Sequence, residues 1–339
     1  MKWPQLRMGR LVAPVVALLL VAAACGDDDT AADGATGATA QEPFRVAVVT
    51  PSAPNDLAFS QSIVDGLNSL QDEYNLEIAV SDSLFVVEDA AAAIRDYASE
   101  GYDLVIAHGS QYGGSVQEIA PDFPDISFAW GTAADTFGQP NVFAYEAASD
   151  QGGYAMGAMA AALSQTKVIG VVGPIEVGDA KLYVDGFVAG AEAEDPTVDV
   201  RVIYTGSFSD VALASEAAES FVGADADVMT GTAQMVVGAV GVASEQGVAW
   251  FGTQANQTEL ASEVVVASQV YHWEVVLSQM IDAILGGTLG GETYQINLEN
   301  GGEVIEFNDA YDLPDEVRQI GEETIAGLED GSIQTGATA

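Results

Sequence analysis

Residues 103–111, DLVIAHGSQ, and residues 227–234, DVMTGTAQ, are two versions of one unit: an acid, a short apolar run, then small and polar residues ending at Gln111 and Gln234. A short apolar run bounded by turn residues, with a helix-like segment on either side, describes a strand buried on both faces. The pair belongs to a series. Val64-Asp65-Gly66-Leu67 returns as Val184-Asp185-Gly186-Phe187, Phe85 before an Ala-rich helix returns as Phe208 before another, and DISFAWGT (125–132) returns as GVAWFGT (247–253). Each match is weak alone. Four matches in order, at an offset of about 120 residues, mark two similar lobes.

Working outward, strands are expected at 46–50, 77–81, 104–108, 127–130, 142–145, 168–172, 200–204, 227–230, 248–252 and 264–270, and helices at 60–74, 89–100, 150–163 and 213–222. The alternation predicts an α/β fold of two doubly wound, parallel-sheet lobes. Ligands of such sheets bind beyond the carboxyl ends of the strands, so facing lobes make a cleft lined by the residues after matching strands. The repeat nominates Gly109 and Gln234 for that lining, and His108 and Trp130 stand at strand ends.

The N-terminus reads as a secretory leader. Lys2, Arg7 and Arg10 precede an apolar run from Leu11 to Ala24, too short to span a bilayer, and small residues lead into Cys25, the only cysteine. The spacing resembles a bacterial lipobox, in which the thiol takes a diacylglycerol and becomes the new N-terminus. The expectation is a leader over 1–24, a tether over 25–43 rich in Asp, Gly, Ala and Thr, and a folded domain from residue 44. Such a protein sits on the outer face of the cytoplasmic membrane, anchored through Cys25.

Loss of the three basic residues with the leader takes the formal charge from −42 to −45. A surface of that sign repels phosphate backbones, which excludes nucleic acid as a partner. With Cys25 used for lipid, neither a disulfide nor a thiol nucleophile is available. Catalysis is poorly supplied: His108 and His272 are the only histidines, and no zinc, G-x-S-x-G or HExxH pattern is present. No cofactor or metal is expected. At the end of a strand, His108 reads equally as a ligand contact or a general base. Gly152-Gly153-Tyr154-Ala155-Met156-Gly157 lacks the spacing of a nucleotide loop and reads as close helix packing. Aromatic residues at strand ends and in polar loops, namely Phe59, Trp130, Phe208, Trp250, Tyr271 and Trp273, suit a flat ligand, although each alone reads as well as core packing.

Asn55-Asp56-Leu57-Ala58-Phe59-Ser60-Gln61-Ser62 with Asp65-Gly66-Leu67 resembles a segment of the basic membrane protein (BMP) lipoproteins. The resemblance continues through 154–161, 169–173, 186–191, 204–210 and 251–257, nearly the whole mature chain. It implies a type I periplasmic-binding-protein fold with a hinge and central cleft, in which an N-lobe (44–148 plus 274–300) faces a C-lobe (149–273 plus 301–332). It implies a monomeric, lipid-anchored solute-binding protein that delivers a purine nucleoside or nucleobase to an ABC permease and is not an enzyme. Phe59 and Phe208 would stack on the ring, and Asp56 and Ser60 would address its edge. Gln254 falls where the family carries a ribose-binding Asp, and Tyr271 where it commonly carries Lys. Val270-Tyr271-His272-Trp273 resembles the V-x-x-W of a branch associated with free purines or other substrates, which adds Trp273 to the site and leaves a similar heteroaromatic solute open as the ligand. A sensing lipoprotein of the same fold, signalling to a membrane receptor, and a secreted α/β hydrolase stand as alternatives.

Overall fold

The computed structural model describes residues 42–337; Cys25, the 1–24 leader and all but the last two residues of the 25–43 tether lie outside the described residues. In chain order the first half comprises β1 (Phe44–Val49), α1 (Phe59–Tyr74), β2 (Leu76–Ser81), α2 (Val87–Ser99), β3 (Leu104–His108), α3 (Gly113–Ile119), β4 (Ser127–Gly131) and β5 (Val142–Ala147). Then come α4 (Ser149–Leu163), β6 (Val168–Gly173), α5 (Gly178–Glu194), β7 (Asp199–Tyr204), α6 (Val211–Val222), β8 (Val228–Gly231), α7 (Val236–Gln246), β9 (Ala249–Gln254) and β10 (Val265–Tyr271). The last elements are α8 (Glu274–Leu285), β11 (Thr293–Ile296), β12 (Glu303–Phe307) and α9 (Asp315–Glu329).

Two separate six-stranded sheets result, ordered β11-β5-β4-β3-β1-β2 and β12-β10-β9-β8-β6-β7. The order of the first five strands is the same in both, a doubly wound arrangement whose direction reverses between β1 and β3 and between β6 and β8. All pairings are parallel except β12, which runs antiparallel to β10. β11 and β12 were not expected from the sequence. They are strands of mixed polar and apolar residues, TYQI and EVIEF, set among Gly, Asn and Glu.

Val46–Val49 and the whole of β3 are buried, as parallel strands covered by helices on both faces require. The chain passes between the sheets three times, after β5, after β10 and after β11. The crossings exchange helices. α4 follows a strand of the first sheet but packs on α5, and α8 follows a strand of the second but packs on α1.

Glycine makes both contacts possible. A Cβ on Gly66 would stand 3.1 Å from the backbone nitrogen of Glu274, and one on Gly186 would stand 2.2 Å from the Asp150 carbonyl oxygen. Gly157 and Gly190 are tighter still, each facing a carbonyl oxygen of the other helix's turn at 2.0 Å. The Gly-rich start of α4 and the repeated Asp-Gly are therefore helix-packing devices. Beside the crossings, buried Glu303 accepts from the Gly152 N–H and the Gln269 amide, and burial pushes its carboxyl well above the ordinary range.

Candidate functional site

The carboxyl ends of both sheets face one narrow cleft, with about 30 Å³ of free space between walls supplied by both halves of the chain. The repeat supplies both walls. Gly109, Ser110 and Gln111 follow β3, while Ala233 and Gln234 follow β8. Phe85 and Phe208, matched in the sequence, both reach the cleft from the loops after β2 and β7. Phe59 completes the aromatic lining as the first residue of α1.

Phe59 is held from behind. Its ring stacks on His108 at 4.0 Å and 18°, His108 stacks on Tyr145, and Trp273 meets both His108 and Tyr145 edge-on. Burial lowers the His108 pKa to about 3, so the ring is neutral. The Phe59 carbonyl can only accept, so Nε2–H of His108 donates to it at 3.2 Å, and Nδ1 accepts from the Tyr145 hydroxyl at 2.7 Å. With both nitrogens engaged and no exposure, His108 serves as a rigid backing for Phe59, not as a base.

Of the residues expected at the site, Phe59, Gly109, Phe208, Gln234 and Gln254 line the cleft. Asp56, Ser60, His108, Trp130 and Trp273 stand outside its lining. The Asp56 carboxylate accepts from the backbone N–H groups of Ala58, Ser60 and Gln61 and from the Ser52 hydroxyl, which organises the turn into α1. Ser60 is fully buried and bonds Ser52. Trp130 stacks on Phe137 and donates to the Gly109 carbonyl, so it supports a lining residue. Trp273 is fully buried and donates to the Ser62 hydroxyl.

Two polar residues of the lining have unmet hydrogen-bonding capacity. Gln254 ends β9 at 3% exposure with φ of 70°, and its Oε1 is buried without a partner. An L-residue in the left-handed region costs of order 1 kcal/mol, a kind of strain that gathers at functional sites. Asp179, in the first turn of α5, is 9% exposed. Its Oδ1 accepts from Thr132 Oγ1 at 3.1 Å, and its Oδ2 is buried without a partner. Burial raises its pKa to about 6 against the opposing bond from Thr132. Sequence reasoning missed Asp179, because an acid in the first turn of a helix is ordinary. Thr132, Ser110, Gln111 and Ala233 lay inside the matched repeats, and that was the available signal.

The arrangement suits binding of a flat, hydrogen-bonding molecule. Among the described residues no cluster of three or more His, Cys, Asp or Glu could hold a metal ion, and no helix is long and apolar enough to cross a membrane.

A family model named Bmp and described as "ABC transporter substrate-binding protein PnrA-like" matches residues 44–329. A purine-binding protein of Brucella abortus is 24% identical over 87% of this chain and 84% of its own length. The ABC transporter nucleoside-binding protein BmpA of Lactococcus lactis is 26% identical over 85% and 88%. Among solved structures, an ABC transporter solute-binding protein from Conexibacter woesei superposes with a TM-score of 0.71 at 23% identity, over 86% of this chain and 98% of the other.

Proposed function

The chain belongs to the Bmp family of PnrA-like ABC transporter substrate-binding proteins, and from that premise we propose that it captures a purine nucleobase or nucleoside between Phe59 and Phe208 and delivers it to an ABC permease. The family is one of solute-binding proteins, not of enzymes, and the type I periplasmic-binding fold is the frame it uses. The observation that carries the reading is the cleft itself, with one aromatic ring from α1 and another from the loop before α6 in a single lining. The Brucella relative, a purine-binding protein, and the Lactococcus relative, a nucleoside-binding protein, support the ligand class. In this reading 44–148 with 274–300 and 149–273 with 301–332 act as two lobes that close on a hinge at the three crossings, and closure creates the surface the permease reads.

The ligand class is tested by titration calorimetry of the full chain in detergent, with adenine, hypoxanthine, adenosine, inosine, uracil and ribose. Purines or their nucleosides bind in the expected result. Binding by ribose or uracil alone overturns the ligand assignment. Gln254→Ala is expected to weaken a nucleoside more than its free base, if Gln254 has taken over contact with the sugar.

The anchor follows from Cys25 and the apolar run before it. Cys25→Ser is expected to release the protein from the membrane fraction into the extracytoplasmic soluble fraction with its fold and ligand binding intact. A variant whose leader has been cut and which still sediments with membranes would refute the lipid anchor.

A further inference from the structure

The internal repeat pairs Asp65-Gly66 with Asp185-Gly186, a shift of 120 positions that sets Phe59 at the start of α1 opposite Asp179 at the start of α5. Both side chains line the cleft. Where one lobe presents an aromatic face, the other presents a carboxylate whose Oδ2 is buried and unpartnered. A carboxylate oxygen left in that state costs stability unless something else satisfies it. The surroundings only partly satisfy it: Thr132 bonds Oδ1, the backbone N–H groups of Asp179 and Ala180 at the start of α5 favour the ionised form, the Ser149 hydroxyl bonds the backbone carbonyl, and the phenols of Tyr145 and Tyr271 and the carboxylate of Glu146 are the titratable groups that face it. No cation is among these groups.

We propose that Asp179 is the anchoring acceptor of the ligand: Oδ2 takes a hydrogen from a ring or exocyclic N–H of the compound held by Phe59 and Phe208, and so selects heterocycles that present a donor on that edge. The proposal rests on the Phe59–Phe208 clamp and adds the polarity of the ligand's edge. It also couples binding to protons. Burial raises the empty protein's Asp179 pKa to about 6, and an N–H donor favours the ionised form. Binding near pH 6 therefore releases a proton to the buffer, and affinity falls as the pH drops below about 6. Stability of the empty protein has the opposite sign. The folded-state pKa lies above the unfolded value, so stability is lost as the pH rises towards 6 and remains lower above it.

The test is calorimetry of the full chain and of Asp179→Asn and Asp179→Ala, with the same six compounds and 6-dimethyladenine, in buffers of different ionisation enthalpy at pH 5, 6 and 7.5. The expected result has four parts: a tenfold to hundredfold loss of affinity in both variants at pH 7.5, proton release near pH 6 in the parent and not in Asp179→Asn, weak binding of 6-dimethyladenine if adenine is the ligand, and a thermal midpoint at pH 7.5 that rises in Asp179→Asn. A merely structural Asp179 would instead lower that midpoint and leave proton release unchanged. If purines bind and Asp179→Asn binds them as tightly, the anchor is wrong and the clamp stands. If only a non-purine binds, with the same Asp179 dependence, the ligand class is wrong and the anchor stands. A protein that binds none of the seven overturns both.

Discussion

Phe59→Ala and Phe208→Ala are each expected to weaken ligand binding by about one to two orders of magnitude, and the double variant by more than either alone. A base stacked on an aromatic side chain contributes about 1–3 kcal/mol, and 1.4 kcal/mol is a factor of ten in affinity. The two rings differ in what else they do. Phe208 is half-buried in the loop before α6, so its loss leaves the core intact and the thermal midpoint nearly unchanged. Phe59 is 8% exposed and stacks on His108, so its removal also opens space above a buried histidine and lowers stability. Phe59→Leu separates the effects: it refills most of the volume but not the π face, and should recover stability more than affinity. Calorimetric titration beside thermal denaturation reads both quantities. Unchanged affinity in both alanine variants would mean that neither ring touches the ligand.

The sequence carried the fold through its internal repeat more than through any single motif. Apolar runs located the first ten strands, and the shared 2-1-3-4-5 order of the two sheets is the physical counterpart of the 120-residue offset. What escaped were β11 and β12, because TYQI and EVIEF mix polar with apolar residues among Gly and Asn and lack the apolar run by which the others were located. The candidate site was legible where the repeat spoke, at Gly109 and Gln234, while Phe85, matched to Phe208 in the repeat, was not read as a site residue although it lines the cleft. It was illegible where a side chain's direction mattered. Successive residues of a strand face opposite sides, so His108 and Gly109 look equally placed in the sequence although one backs the wall and the other lines it. Asp56 illustrates the same limit in a loop: an acid before a helix reads as a ligand group or as a turn organiser, and here its oxygens are taken up by the turn. Asp179, the reverse case, looks like an ordinary helix-start acid and lines the cleft with one oxygen unpartnered.

Trp273→Ala is expected to cost about 3–5 kcal/mol of stability, the range for removing a large buried aromatic side chain, with a loss of affinity that follows indirectly. Trp273 lies at the crossing between β10 and α8, fully buried. It packs edge-on against His108, Tyr145 and Tyr271 at centroid distances of 5.7, 5.2 and 5.4 Å, and its Nε1–H donates to Ser62 at 2.9 Å. Gly66 lies against its Cβ, so the residue also sets how closely α1 approaches the crossing. Removing the indole leaves a cavity under the His108–Tyr145 stack, takes one of two partners from the Ser62 hydroxyl, which still donates to the Phe59 carbonyl at 2.8 Å, and loosens the support of Phe59. Trp273→Phe keeps part of the ring packing and loses the hydrogen bond, so its cost should be clearly smaller. Chemical denaturation measures the stability, and titration with the best ligand measures the second effect. The order expected is Trp273→Ala well below Trp273→Phe in stability, with affinity falling in the same order because the clamp ring moves. An alanine variant as stable as the parent would mean that this aromatic stack does not support the fold, and one that is unstable but binds normally would uncouple it from the clamp.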